Sequence, residues 1–250
     1  MEITDKAIVV SGGGSGIGRA AVLALVERGG KVIVADVDEA GARTTVDMAG
    51  EKGGIAIYRH CDVTRTEDLA GAFACAYEHF GRFDVAFNNA GIGGEDLFAD
   101  DPGDWARVIE IDLTAVIDAT RIAVREMQLS GKGGVIINTA SMGGLLPMPG
   151  SPVYAAAKAG VINFTRSLAH LAEESNIRVN AICPSFTDTP LVRRSGDERV
   201  EEMSRMVGGI LQPEDIAAGV VELIEDDSRF GSIMRVTVRG GRDVDRKSVV

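Results

Sequence analysis

Ala7-Ile8-Val9-Val10-Ser11-Gly12-Gly13-Gly14-Ser15-Gly16-Ile17-Gly18 decides how this chain is read. A short, β-branched apolar run ends in a cluster of glycines, and an amphipathic stretch over residues 17–27 follows. The run has strand length and the stretch has helical period. Glycines at such a turn let backbone approach a pyrophosphate, and the amino end of the helix offers N–H groups and a positive dipole. A glycine cluster by itself also marks an ordinary turn. Its place behind a buried strand and ahead of a helix is what favours dinucleotide binding. Gly12, Ser15, Gly16, Ile17 and Gly18 are the candidate phosphate contacts.

The same alternation continues outward. Residues 32–35 precede a polar helical stretch that runs through Met48, and the apolar runs at 55–59, 85–87, 135–137 and 179–182 repeat the theme. Near-continuous apolar strands separated by helices indicate a parallel sheet covered on both faces. The fold class is α/β: a Rossmann-type, doubly wound parallel sheet flanked by helices on both faces. No linker, repeat or low-complexity tract divides the chain, so residues 1–250 are expected to form a single domain. Two regions break the rhythm. Residues 187–209 are charged, follow a strand end and are long enough to form a lid over a ligand; an exposed charged helix has the same pattern. The other is the tail after Gly241.

Composition narrows the function. A net charge of -11 argues against nucleic acid, which needs a basic face, and no Lys/Arg run suits an anionic membrane. The amino terminus lacks the basic start and apolar stretch of a secretory signal, and no run of about 18 apolar residues exists to span a bilayer. Cys61, Cys75 and Cys183 are odd in number and widely spaced, as expected of reduced thiols in a cytoplasmic protein. His60-Cys61-Asp62 is a poor metal set, because adjacent strand residues point to alternating faces. No metal is expected.

Asp36 ends the second strand, eighteen residues after Gly18. A carboxylate there accepts hydrogen bonds from the adenosine ribose hydroxyls and repels a 2′-phosphate. With Val37 next to it and an uncharged Ser15, NAD is favoured over NADP. Asp62, after the third strand, has two readings: contact with the adenine amino group, or capping of the next helix. Farther on, Tyr154 and Lys158 are four residues apart and share one face if the segment is helical. A free tyrosine titrates near pH 10, and a neighbouring ammonium favours the phenolate. Lowering that value by roughly 3 units needs about 4 kcal/mol, more than one exposed charge usually supplies. A cationic cofactor ring and Ser141, thirteen residues upstream, would have to contribute.

Together these residues resemble the short-chain dehydrogenase/reductase family, almost end to end. Ser11 to Gly18 match its Thr-Gly-x-x-x-Gly-x-Gly with serine for threonine, Asn88-Asn89-Ala90-Gly91 match its Asn-Asn-Ala-Gly, and Ser141, Tyr154 and Lys158 match its active serine, tyrosine and lysine. The resemblance implies hydride transfer between NAD and a secondary alcohol or ketone. Tyr154 would exchange the hydroxyl proton, Lys158 hold the nicotinamide ribose, and Ser141 bind the substrate oxygen. It also implies cofactor contacts from Val63, Asn89, Ala90, Gly91, Pro184, Phe186, Thr187 and Thr189, and assembly as a tetramer or dimer through the helices near Asp112 and Tyr154. The stretch 116–124 is apolar enough for such an interface, though a buried helix face looks the same.

Two residues depart from the family pattern. Asp112 stands where the family often has an asparagine that holds a water in a proton relay to the lysine. The asparagine acts largely through its backbone, so Asp112 can serve in the same place, and its charge would favour a protonated Lys158; a purely structural role is the other reading. Ser185 replaces the glycine of the family's Pro-Gly. A closer resemblance to the 15-hydroxyprostaglandin dehydrogenase branch rests on Pro152-Val153-Tyr154, Phe164-Thr165-Arg166-Ser167, Asn180-Ala181-Ile182-Cys183-Pro184 and Gly231-Ser232-Ile233-Met234. Ser151 stands where that branch is expected to have a substrate-orienting glutamine. Met142, Leu145, Leu146, Met148 and Phe186 suit an apolar substrate wall or simply core. The competing functions are an NADPH-dependent ketoreductase acting on acyl carrier protein, which Asp36 disfavours, and a non-catalytic NAD-binding scaffold.

Overall fold

The apolar run near the amino terminus forms strand β1 (Ala7–Ser11), buried throughout, and the glycine loop leads into helix α1 (Gly16–Val26). Strand β2 (Lys31–Asp36), helix α2 (Glu39–Glu51), strand β3 (Ile55–His60), helix α3 (Thr66–Phe80) and strand β4 (Val85–Asn88) continue the alternation. Helix α4 (Trp105–Ile109) runs through a π turn at Glu110–Thr114 into α5 (Ala115–Ser130). Strand β5 (Gly134–Thr139) and a 3₁₀ turn (Met142–Gly144) lead to α6 (Pro152–Ser167), α7 (Leu171–Ser175) and β6 (Ile177–Pro184). The carboxyl part contributes α8 (Pro190–Arg193), α9 (Asp197–Val207), α10 (Pro213–Glu225), β7 (Ile233–Thr237) and β8 (Gly241–Val244). This computed structural model describes residues 1–94, 97–100, 103–194 and 196–245.

The strands form one sheet in the order β3-β2-β1-β4-β5-β6-β7-β8, parallel except for β8 against β7. Val9 of β1 lies opposite Ile33 of β2 on one side and Ala86 of β4 on the other. Strand order turns back here, so the loops leaving β1 and β4 diverge and open a crevice at the carboxyl ends of the strands. The apolar runs are continuous because both faces are covered. Ile8 and Val10 pack with Leu25 of α1 and Leu223 of α10, whereas Val9 packs with Phe73 of α3 and Met127 of α5. Successive side chains point to opposite faces, and each finds a helix there.

Three regions gain detail beyond the sequence pattern. The tail after Gly241 supplies β8, an antiparallel edge strand. The charged stretch 187–209 forms α8 and α9, on which Val200 is the buried residue; its residue 195 lies outside the described residues. Val116, Ala119, Ile122 and Ala123 of α5 face the chain's own core, so the apolar character of 116–124 is mostly accounted for within one subunit. No helix among the described residues is long and apolar enough to cross a membrane.

A charge inside β6 ties the sheet to its last long helix. Arg178 is buried, and its guanidinium donates to the carbonyls of Leu223, Ile224, Asp226 and Arg229 at 2.6–3.1 Å. These carbonyls lie at and beyond the carboxyl end of α10, where backbone acceptors lack helical partners. Replacing Arg178 with methionine takes its donor from the Leu223 carbonyl and leaves those of Ile224, Asp226 and Arg229 with only their second donors, the Met1 amine, the Arg229 N–H and the Asn180 amide. The expected loss is about 2–4 kcal/mol, or roughly 5–15 °C in Tm, read by thermal melting followed by circular dichroism. A loss below about 1 kcal/mol would mean that solvent satisfies the carbonyls equally well.

Candidate active site

The glycine loop sits at the crevice between β1 and β4. A Cβ on Gly18 would lie 1.9 Å from the carbonyl oxygen of Gly12, so no larger residue fits this turn unchanged. Ser15 occupies the N-cap position of α1 but makes no side-chain capping bond, and the first turn carries no acid. The amino end of α1, with Gly16 and Ile17 in its first turn, is thus left for an external anion. Thr189 closes the opposite side, its side chain 3.3 Å from where a Cβ on Gly16 would stand.

Ser11 and Asn89 stitch the two diverging loops. The Ser11 hydroxyl oxygen accepts from the backbone N–H of Asn89 at 3.0 Å and of Ala90 at 3.2 Å. The Asn89 amide donates to the carbonyls of Ser11 and Gly12, and its oxygen accepts from the Thr139 hydroxyl. Asn89 therefore holds the crevice in shape. Beneath it Asn88, Asn138, Thr120 and Thr165 form a buried hydrogen-bonded group that sequence reading missed.

Asp36 lies at the end of β2, where it accepts from Gly14 N–H at 2.8 Å and Asp38 N–H at 2.9 Å. A carboxylate has about four acceptor sites, so two remain for ribose hydroxyls. Arg19, the nearby cation, is engaged elsewhere: it donates to Thr45 Oγ1 and to the carbonyls of Gly14 and Gly41. Asp62 does not cap α3, whose N-cap is Arg65. It accepts instead from the backbone and hydroxyl of Thr64, which with Arg107 holds its carboxyl below the usual range. Val63 and Ala90 line a small recess beside Ser11 and Ile111.

Tyr154 and Lys158 lie on α6, with the Lys158 ammonium 5.6 Å from the centre of the tyrosine ring. Lys158 is buried and donates to the Thr139 carbonyl at 3.1 Å, which ties it to the end of β5. Ser141, two residues beyond β5, caps the 3₁₀ turn by accepting from Gly143 N–H at 3.0 Å. Its hydroxyl proton remains available for an outside acceptor. A Cβ on Gly144 would come within 2.8 Å of the Lys158 backbone, so this turn packs directly on α6. Ser151 touches the loop after β4, its hydroxyl 2.8 Å from the Gly94 carbonyl. The loops after β4 and β5 thus converge on the helix that carries the tyrosine and lysine.

Asp112 lies inside the π turn and is fully buried. Single π turns occur often at functional sites. Its Oδ1 accepts from Ile92 N–H at 2.9 Å, and its Oδ2 stands 3.7 Å from the Lys158 ammonium, too far for a hydrogen bond. Burial pushes the carboxyl up against the pull of Lys158. Among the described residues, Asp112 Oδ2 and Ser185 Oγ are the buried side-chain polar atoms without a hydrogen-bond partner. Both belong to residues of the crevice end of the sheet, and unpaired buried groups of this kind call for a ligand or functional explanation. Such a group, with the uncapped end of α1, fits a bound dinucleotide.

Beyond β6, Ser185 keeps an ordinary backbone at the place of the family's glycine. Pro184 ends β6, Phe186 is partly buried, and the Thr187 hydroxyl donates to the Ser185 carbonyl at 2.9 Å. The segment 187–209 borders the crevice: Leu191 approaches Gly93, and Arg199 approaches Gly150. Met142 and Leu145 pack against the core near α6, whereas Leu146 is exposed. Away from the crevice, Cys75, Glu78 and His79 share one turn of α3 with ligand atoms within 4.8 Å. His79 Nδ1 is engaged with the Cys75 carbonyl and burial raises the Cys75 thiol, so this set has the character of an ordinary helix surface. Cys61, just past β3, is buried, with its thiol pushed up to about 12, and its neighbour His60 is exposed.

Similarity to known proteins agrees with this geometry. A 15-hydroxyprostaglandin dehydrogenase [NAD(+)] of Bos taurus is 36% identical over 259 residues, covering 96% of this chain and 94% of the relative. A cis-4-hydroxycyclohexanecarboxylate dehydrogenase of Sinomonas cyclohexanicum is 39% identical over 238 residues, covering 93% and 95%. The crystal structure of levodione reductase superposes with a TM-score of 0.87 at 29% identity, covering 94% of this chain and 96% of that one. The family model described as short chain dehydrogenase matches residues 6–200. With the glycine crevice, the Tyr154–Lys158 pair and Ser141 assembled at one end of the sheet, the chain belongs to the short-chain dehydrogenase family.

Proposed function

We propose that this protein is an NAD-dependent oxidoreductase that interconverts a secondary alcohol and its ketone, with a mainly apolar substrate. The observation that carries this reading is the anchoring of Lys158 beneath the Tyr154 ring by the Thr139 carbonyl. A flexible lysine on a helix surface would give the tyrosine little help. One held in a buried position keeps its positive field on the phenol and favours the phenolate.

Bound NAD would supply the hydride acceptor, and Gly12, Ser15, Gly16, Ile17, Gly18, Asp36 and Thr189 would hold it. Ser141, with its proton unspent, would donate to the substrate oxygen and fix it beside Tyr154. Tyr154 would take the hydroxyl proton as the alcohol is oxidised and return it in the reverse direction. Lys158 would keep Tyr154 charged and hold the cofactor ribose. Residues 187–209 would act as a lid, since they touch the rims of the crevice at Gly16, Gly93 and Gly150. The preference for NAD is supported by Asp36, whose charge faces the ribose end, and by Arg19, whose guanidinium is spent on Thr45, Gly14 and Gly41. The names of the two curated relatives support a cyclic or otherwise apolar secondary alcohol.

Tyr154→Phe is expected to lower kcat for cyclohexanol oxidation by about 10²–10⁴-fold and to leave NAD affinity within about threefold. If wild type and variant bind NAD alike and neither turns over any secondary alcohol, a binding scaffold replaces the enzyme. Titration calorimetry is expected to show NAD binding at least about tenfold tighter than NADP, a gap of roughly 1.4 kcal/mol that Asp36→Ala should narrow. Equal or tighter NADP binding by the wild type would overturn the Asp36 reading in favour of an NADPH-dependent reductase.

A further inference from the structure

We propose that Asp112 works as the ionised counter-charge of Lys158, a positioning residue that fixes the ammonium and sets the pH at which Tyr154 becomes active. The proposal rests on the oxidoreductase reading above. Its structural basis is the pair of neighbours that the two Asp112 oxygens face. Oδ1 accepts from the Ile92 backbone N–H at 2.9 Å, and Oδ2 faces the Lys158 ammonium at 3.7 Å. Both neighbours are donors. An ionised carboxylate presents acceptors to both. An amide in this place would turn its NH₂ towards one donor or the other, and a neutral carboxyl protonated on Oδ2 would set an O–H against an ammonium.

Burial opposes ionisation, since Asp112 is fully enclosed and Lys158 nearly so. An unpaired buried charge is costly, but two opposite charges side by side compensate one another. Among the described residues, Lys158 is the charged group that acts on Asp112. From α6, Lys158 faces it. On its own turn Glu110 is exposed and paired with Arg107 of α4. Asp118 of α5 is bound by Thr66 and Arg121, and Asp62 by Thr64 and Arg107. Residues 91–94 of the loop after β4 carry no charge.

The chemical consequence concerns Tyr154. An anion beside the lysine weakens the positive field at the phenol, and like charge disfavours phenolate formation. Relative to an amide, Asp112 delays activation of Tyr154 to higher pH while holding Lys158 in place. The carboxylate in this chain is thus a setting of the working pH and not a neutral replacement.

The test compares wild type with Asp112→Asn in two readouts. In alcohol oxidation, the acid limb of kcat/KM against pH is expected to move about one unit lower in the variant. A limb that stays in place or moves higher overturns the proposal, because a merely structural residue would change only the height of the profile. The second readout is melting of the cofactor-free protein for Asp112→Asn, Lys158→Met and the double variant. Lys158→Met should lower Tm by an amount that grows as pH rises above about 4, the unfolded carboxyl value, because the unfolded chain then releases a proton that the buried, unpaired Asp112 of the native state retains. Adding Asp112→Asn should restore part of the loss. Strictly additive losses would show that no charge pair exists. The melting cycle decides the question even where Asp112→Asn is too unstable to assay. Absence of turnover by the wild type would instead remove the oxidoreductase reading and leave the melting cycle to judge the pair.

Discussion

The divergence of the loops after β1 and β4 is the constraint on which the rest depends. Two neighbouring parallel strands send their chains to opposite faces, and the gap this leaves is a site only if its edges stay in register. Ser11 and Asn89 provide that register with hydrogen bonds from one loop to the other, and Asn89 extends it to Thr139 at the end of β5. The Thr139 carbonyl then receives the Lys158 ammonium. A continuous polar seam therefore runs from the glycine turn to the lysine, and the two ends of the candidate site are parts of one hydrogen-bonded frame.

Burial of charge follows a clear division. Arg178 is buried for stability, and every contact it makes with α10 satisfies a backbone carbonyl. Lys158 and Asp112 are buried beside one another, and their shared contact is left incomplete at 3.7 Å. A fully satisfied pair would resist change. An incomplete one in a dry environment leaves donors and acceptors for a ligand, and its field is felt strongly at Tyr154.

Much of this was legible along the chain, for local reasons. Ile8, Val9 and Val10 announced a strand covered on both faces, and the glycines from Gly12 to Gly18 announced a turn that only small residues can make. Tyr154 and Lys158 were legible because helical spacing alone brings them together. The eighth strand was not, since Gly241–Val244 is short and polar and becomes a strand only by pairing with β7. The apolar stretch 116–124 suited an interface or a core equally, and only the packing of α5 assigned most of it to the core. Asp62 was equally open between a cap and a ligand contact, and the fold removes the cap, since α3 begins behind Arg65.

The sequence by itself determined the class of fold, the glycine turn after the first strand and the tyrosine–lysine pair, because each follows from side-chain period, glycine sterics or four-residue spacing. Only the tertiary structure decided what surrounds the charges. Ile92 and Thr139 lie 66 and 19 positions from Lys158 and carry no shared motif with it. The Arg19 guanidinium is removed from the ribose end by carbonyls of two separate segments, Gly14 and Gly41. Hydrogen-bond partners and the depth at which a charge is buried are properties of segments brought together from across the chain, and no local pattern encodes them.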